Sequence, residues 1–164
     1  MPGETPLAYV ERVARAKAAY GLRLIDLRHL RHQPVLSADT TLELDGEIIG
    51  KPLDHADAIA ILNRLSGKTH RVLTAVAVSS GSLRGVDGQM PCRVNISDVR
   101  FKTLSPDEIQ RYVATGEPMD KAGAYGIQGR AGRFVEHLAG SYTGVMGLPL
   151  FDTSELLRGF DFHF

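Results

Sequence analysis

Side chains suited to a charged, phosphorylated ligand occur at several places in this sequence. Asp39 is followed by two hydroxyls, Thr40 and Thr41. Lys51-Pro52 leaves a short hairpin, and the proline fixes the direction in which the lysine departs. Lys17 sits between Arg12, Arg15 and Arg23, and residues 120–129, Asp-Lys-Ala-Gly-Ala-Tyr-Gly-Ile-Gln-Gly, pack two charges, an aromatic ring and an amide between glycines. Carboxylates beside lysines suit a metal-bound polyphosphate: the carboxylates hold the cation and position water, and the lysines offset phosphate charge. A glycine-rich loop lets backbone approach a ligand closely, and Gln128 can both donate and accept toward a base edge. The plainer reading makes Asp39 a turn residue and the lysines solvated surface groups.

Other spacings fail on inspection. Gly46 to Lys51 lacks the length of a phosphate loop, and Pro52 stands where a magnesium-binding hydroxyl belongs. Gly67-Lys68-Thr69 has the right ending, but Leu62 occupies the position of the first glycine. The glycines at 123, 126, 129 and 132 recur every third residue, which is not the dinucleotide fingerprint. His29-x-x-His32 has no cysteine or acidic partner at helical spacing, so zinc is not expected. Ser79-Ser80-Gly81-Ser82 reads as a polar turn, and Cys92 as a small buried hydrophobe at the start of a strand.

Local patterning predicts the elements that must hold these groups. Thr5-Pro6 opens a helix with apolar positions Val10, Val13, Ala14 and Ala18, and Gly21 is its expected stop. Val35 to Ala38 reads as a short buried strand ending at Asp39, a position favoured for chemistry because sites in open α/β sheets gather outside the carboxyl ends of strands. Asp45-Gly46 supplies the turn of a hairpin between residues 41–44 and 47–49. Asp54 caps a helix whose face is Ala58, Ile61, Leu62 and Leu65. Strands follow over 70–80 and 92–104, joined by a glycine-rich loop over 81–91. Ser105-Pro106-Asp107-Glu108 is a capping box, the stretch from Gly116 to Gly132 is loop-like, Phe134-Val135 starts another strand, and Thr153 is the expected cap of a last helix. The alternation of elements predicts an α/β fold, a mixed twisted sheet with flanking helices, in one domain spanning 1–164.

Composition bounds the function classes. Nineteen Lys+Arg balance nineteen Asp+Glu, which leaves no electrostatic footprint for nucleic acid. No run approaches the roughly 18–20 apolar residues of a membrane helix. The first residues have neither the basic nor the apolar region of a secretory signal, and one cysteine makes no internal disulfide. These features predict a cytoplasmic protein.

Taken together, residues 38–41 (Ala-Asp-Thr-Thr), 50–54 (Gly-Lys-Pro-x-Asp), 65–76 (Leu-Ser-Gly-Lys-Thr-His-x-Val-x-Thr-Ala-Val), 120–129, Gly140-Ser141 and 145–149 (Val-x-Gly-Leu-Pro) resemble the Maf family of nucleoside triphosphate pyrophosphatases, in order and over nearly the whole chain. The resemblance implies the two-lobed fold shared with the inosine triphosphate pyrophosphatases, usually a homodimer with a nucleotide cleft. It implies hydrolysis of a nucleoside triphosphate to the monophosphate and pyrophosphate with a divalent cation, Mg2+ or Mn2+. The loop Gly-Ala-Tyr-Gly-Ile-Gln-Gly is similar to the branch acting on dTTP and UTP, modified pyrimidine nucleotides included, and members have been associated with septum formation. Residue by residue, Asp39 matches the proton acceptor and stands at the metal; Thr40 and Gln128 match positions linked to substrate choice; Lys17 and Lys51 match lysines facing the phosphates. Gln128 suits the O4 and N3 edge that thymine and uracil share.

The family's usual opening, an apolar strand and a Ser-x-Ser-Pro-Arg-Arg loop, has no match here, so the resemblance reads as an N-terminally shortened domain. Paired arginines would each supply charge-assisted contacts of about 1.5–3 kcal/mol to phosphate, and without them reduced or absent catalysis is the expectation. The alternative function is a non-catalytic nucleotide-binding or septum-associated interaction protein.

Overall fold

The computed structural model describes residues 3–31, 33–79 and 90–160. Its elements begin where local chemistry favours them. The Thr5 hydroxyl accepts the Ala8 N–H at 3.2 Å, with Pro6 at the first helical position, and opens α1 (Pro6–Leu27). Asp54 accepts the Asp57 N–H at 2.8 Å and opens α2 (His55–Leu65), whose buried face is Ala58, Ile61, Leu62 and Leu65, as predicted. Ser105 and Glu108 form both halves of the capping box of α3 (Pro106–Val113).

Five strands make one sheet in the order β2-β1-β3-β4-β5: β1 (Val35–Leu44), β2 (Glu47–Ile49), β3 (Thr69–Ser79), β4 (Cys92–Phe101) and β5 (Val135–Ala139). The α/β class stands, but every pairing among the described strands is antiparallel rather than mixed. The hairpin at Asp45-Gly46, both with positive φ, reverses the chain after β1, and α2 carries it back before β3. β2 and β3 therefore run parallel to each other but flank β1 instead of pairing.

β1 pairs with β3 from Val35↔Ser79 to Glu43↔Arg71, whereas β2 covers only Leu42 to Leu44 of its other side. Strand pleating then divides the residues. Leu73, Ala75 and Ala77 face α1 and pack on Val10, Ala14 and Ala18. Leu42 and Val72 face the main core, with α2, α3 and the ring cluster of Phe101, Tyr112, Tyr125 and Phe134. Val76 and Val78 pack on Leu156 of α5 (Leu150–Arg158), which follows the single turn α4 (Tyr142–Val145).

Expected boundaries shift where tertiary packing overrides local signals. α1 does not stop at Gly21 but runs six residues further, to Leu27. Gly21 is a contact point: a Cβ there would come within 2.7 Å of Val35 Cγ1, and Leu22 beyond it is buried. β1 does not end at Asp39 but continues through it to Leu44, because Asp39 pairs with Ala75 in the sheet and its charge is met by Lys17. Thr153 lies inside α5, its hydroxyl donating to the Pro149 carbonyl at 2.8 Å, so it is not the cap. The segment from Gly116 to Gly132 is a run of 3-10 turns. Most of the 81–91 loop, all of the Ser79–Ser82 turn but Ser79, and His32 lie outside the described residues.

Leu62 is fully buried in the main core, so Leu62→Ala should cost about 2–5 kcal/mol of stability. The exposed cap change Ser105→Ala should cost about 1 kcal/mol. Urea unfolding of the two variants beside the parent measures both.

Candidate active site

A cleft of about 350 Å³ opens along the part of β1 that β2 leaves uncovered. Lys17, Asp39, Thr40, Lys51 and Gln128, the residues singled out in the sequence, all line it. They come from α1, β1, the β2–α2 connection and the 120–128 loop, and each is placed by an identifiable contact.

Alanines on α1 and β3 allow the helix to lie close on the sheet, and Lys17 reaches β1 from it. Its ammonium donates to Asp39 Oδ1 at 2.7 Å and to the Ala38 carbonyl at 3.1 Å. The Ser37 hydroxyl donates to the Ala14 carbonyl at 2.7 Å and fixes the register of helix on strand beside it. The Asp39 side chain is mostly enclosed, whereas Lys17 is half exposed. Asp39 and Thr40, as strand neighbours, leave β1 on opposite faces: Asp39 toward α1, Thr40 toward the main core. There the Thr40 hydroxyl meets that of Thr74 at 2.9 Å, and Thr74 in turn donates to the Gly144 carbonyl of α4 at 2.8 Å.

The opposite wall is the 120–128 loop. The Gly123 N–H donates to the Gly50 carbonyl at 2.9 Å, tying the loop beside Lys51. Gly123 has φ +72°, and a Cβ there would fall 2.4 Å from Leu42 Cδ1, so the loop seats on β1 only with glycine at this position. Lys121 donates to Asp120 at 2.6 Å and to the Glu117 carbonyl at 3.1 Å. That hydrogen bond, with Lys51 nearby, holds the Asp120 carboxyl below its ordinary pKa. Asp120 and Lys121 both line the cleft, which thus carries three lysines against two aspartates, an excess of positive charge fit for a polyphosphate.

Glu117 holds the far end of the loop. Its carboxylate accepts the Tyr112 hydroxyl at 3.0 Å and the Arg130 N–H at 3.1 Å, tying the end of α3 to the residue that follows the turn carrying Gln128. Burial, with the Glu117 carboxylate beside it, pushes the Tyr112 phenol upward, so it remains a donor. Behind the loop, Tyr125 OH and His70 Nε2 lie 2.8 Å apart, and both rings pack edge-on against Phe101. Tyr125, Ile127, Leu42, Val72 and Val145 give the cleft an apolar stretch beside its charged groups.

In the sequence Asp120, Lys121 and Tyr125 stand out only as parts of the loop and Thr74 only as part of the 65–76 motif, with no role attached, and nothing marks Glu117. The charged pair before the first loop glycine was a signal for Lys121. Thr74 and Glu117 act through partners that spacing does not connect.

The donor set suits a divalent cation in one way. Among the described residues no three histidine, cysteine or acidic side chains converge, but Asp39 and Asp120 both face the cleft. One or two carboxylates with substrate phosphates and water is the usual coordination of magnesium.

Comparison with known proteins follows the same lines. The family described as Maf-like protein matches residues 2–160. A dTTP/UTP pyrophosphatase of Dechloromonas aromatica is 61% identical over 162 residues, which is 99% of this chain and 78% of that protein. One from Aromatoleum aromaticum is 61% identical over 161 residues, covering 98% and 75%. One from Chromobacterium violaceum is 53% identical over 161 residues, covering 98% and 78%.

Burial lowers the His70 pKa from 6.5 to about 4, so the folded state holds it neutral while the unfolded chain protonates near pH 6.5. The stability this contributes is present above pH 6.5 and is lost as pH falls toward 4, by about 3 kcal/mol in all. Urea unfolding at steps from pH 7 to pH 4 should show the loss, and His70→Phe should flatten that part of the profile.

Proposed function

Because the chain belongs to the Maf-like protein family, we propose that it hydrolyses dTTP and UTP to the nucleoside monophosphate and pyrophosphate, with Mg2+ or Mn2+ as the cation. The observation that carries the reading is the cleft's double character: lysines and aspartates adjoin apolar side chains, a threonine hydroxyl and an amide. Few ligands other than a nucleotide need both kinds of surface in one cleft.

In this reading Asp39 accepts a proton from the water that attacks phosphorus. One P–O bond forms, one anhydride P–O bond breaks, and the bridging oxygen departs with the pyrophosphate. Lys17 keeps the Asp39 carboxylate aligned along the open edge of β1, and its ammonium stands where phosphate charge would lie. Lys51 and Lys121 offset the charge that grows on the leaving pyrophosphate. Asp39 and Asp120 would hold the cation, which would supply Lewis acidity to the attacking water and offset charge on the phosphates. Gln128 and Thr40 would meet the edge of the base, and Tyr125 and Ile127 shield it from water.

A homodimer in the cytoplasm is part of the same proposal. Among the described residues no helix is long and apolar enough to cross a membrane.

The test is pyrophosphate release from dTTP, UTP, CTP, GTP and 7-methyl-GTP, with and without each metal. Selective, metal-dependent release from dTTP and UTP is expected, at a rate reduced because no arginine is among the described residues that line the cleft. Asp39→Asn, nearly isosteric, should lower kcat by about 10²–10⁴-fold with the thermal midpoint little changed. Unfolding of that variant would make Asp39 a structural group, and bound nucleotide without product would leave the protein a binder.

A further inference from the structure

Thr40 and Gln128 both face the cleft, but they differ in what they are able to refuse. The Gln128 amide carries an acceptor and a donor, and rotation about its last bond exchanges them. It can satisfy the O4 carbonyl of uracil or the N4 amine of cytosine equally well. A hydroxyl is similarly permissive when free, because its hydrogen rotates to suit the ligand. The Thr40 hydroxyl is not free.

Its partner Thr74 is 1% exposed and does not line the cleft. Thr74 has one hydroxyl hydrogen, and it is committed to the Gly144 carbonyl at 2.8 Å, a group that only accepts. The 2.9 Å contact between Thr74 and Thr40 therefore requires the hydrogen of Thr40. The carbonyl at the end of this chain is itself held. The Gly144 N–H donates to Ser141 Oγ at 3.0 Å, and the Ser141 N–H donates to Ser97 Oγ at 2.9 Å.

We propose that Thr74 is a positioning residue that consumes the Thr40 hydrogen, so that Thr40 presents only lone pairs to the cleft and selects pyrimidines bearing an N3–H over those whose N3 is an acceptor. Uracil and thymine carry that hydrogen; cytosine does not. An acceptor facing an acceptor in a partly enclosed cleft leaves both unpaired, which is a stronger basis for rejection than the loss of apolar contact. The 5-methyl group that separates thymine from uracil plays no part, so both are accepted. The proposal rests on the nucleotide reading of the cleft and adds the atom that distinguishes one pyrimidine from another.

The experiment is calorimetric binding of the non-hydrolysable α,β-methylene analogues of UTP and CTP to the full chain and to Thr74→Val, Thr74→Ser and Thr40→Val. The parent should prefer the UTP analogue by about tenfold or more. Thr74→Val frees the Thr40 hydrogen, and the preference should fall to within about threefold through a gain for the CTP analogue; Thr74→Ser should keep the parent ratio. A merely structural role for Thr74 would weaken both analogues alike and leave the ratio unmoved, which overturns the proposal. Thr40→Val should weaken the UTP analogue and leave the CTP analogue nearly unchanged, and this decides the matter if Thr74→Val does not fold; equal losses for both analogues overturn it. Parent protein that binds both analogues equally contradicts this inference alone. Parent protein that binds neither contradicts the nucleotide reading and this inference with it.

Discussion

The arrangement of the cleft follows from the unequal pairing of β1. One side of the strand is held to β3 along nearly its whole length, from Val35↔Ser79 to Glu43↔Arg71, while β2 covers only Leu42 to Leu44 on the other. The remainder of that side is an edge with no strand neighbour among the described residues, and the cleft lies along it. Because successive side chains alternate, a single step along β1 moves from Asp39 beneath α1 to Thr40 over the main core. A slip of one residue would exchange these roles and bury an aspartate in an apolar cluster, so the β1–β3 register fixes the site as firmly as it fixes the core.

Each wall of the cleft is then secured by packing of a different kind. α1 approaches through Ala14, Ala18, Ala75 and Ala77, and Gly21 meets Val35; larger residues in that interface would lift Lys17 away from Asp39. The 120–128 loop is seated by the close contact of Gly123 on Leu42, by the Gly50 carbonyl and by the Glu117 carboxylate. The rings of Phe101, Tyr125 and His70 support it from behind. The loop is thus preorganised by a buried layer together with the hydrogen bonds of its own turns, as a site that must hold fixed geometry requires.

Much of this was legible where the signal is local. Thr5-Pro6, Asp45-Gly46, Asp54 and the Ser105–Glu108 box act within a few residues of themselves, and all do what their chemistry suggests. The expectations that failed rested on local rules in places where distant contacts decide. Gly21 resembles a helix stop until Val35 packs on it, and Asp39 resembles a strand end until Lys17, 22 residues away, balances its charge. Thr153 resembles a cap, but its hydroxyl is turned back to the Pro149 carbonyl. The same divide runs through the site. Asp39, Thr40, Lys17, Lys51 and Gln128 could be singled out because their types and motifs are unusual. Thr74 reads as an ordinary strand residue, and Glu117 as an ordinary polar residue after a glycine. Their significance lies in partners such as Gly144 and Arg130, which only the folded chain brings near.

The central claim is that one cleft on the open edge of β1 orients a pyrimidine nucleoside triphosphate, with phosphates at the lysines and base at Thr40 and Gln128. A crystal structure of the full chain with the α,β-methylene analogue of UTP tests it most directly. The account predicts phosphate oxygens within hydrogen-bonding distance of Lys17 and Lys51, and the uracil N3 and O4 edge at Thr40 and Gln128. A nucleotide bound elsewhere, or one lying in the cleft with its base toward Lys17 and its phosphates at Gln128, would contradict it.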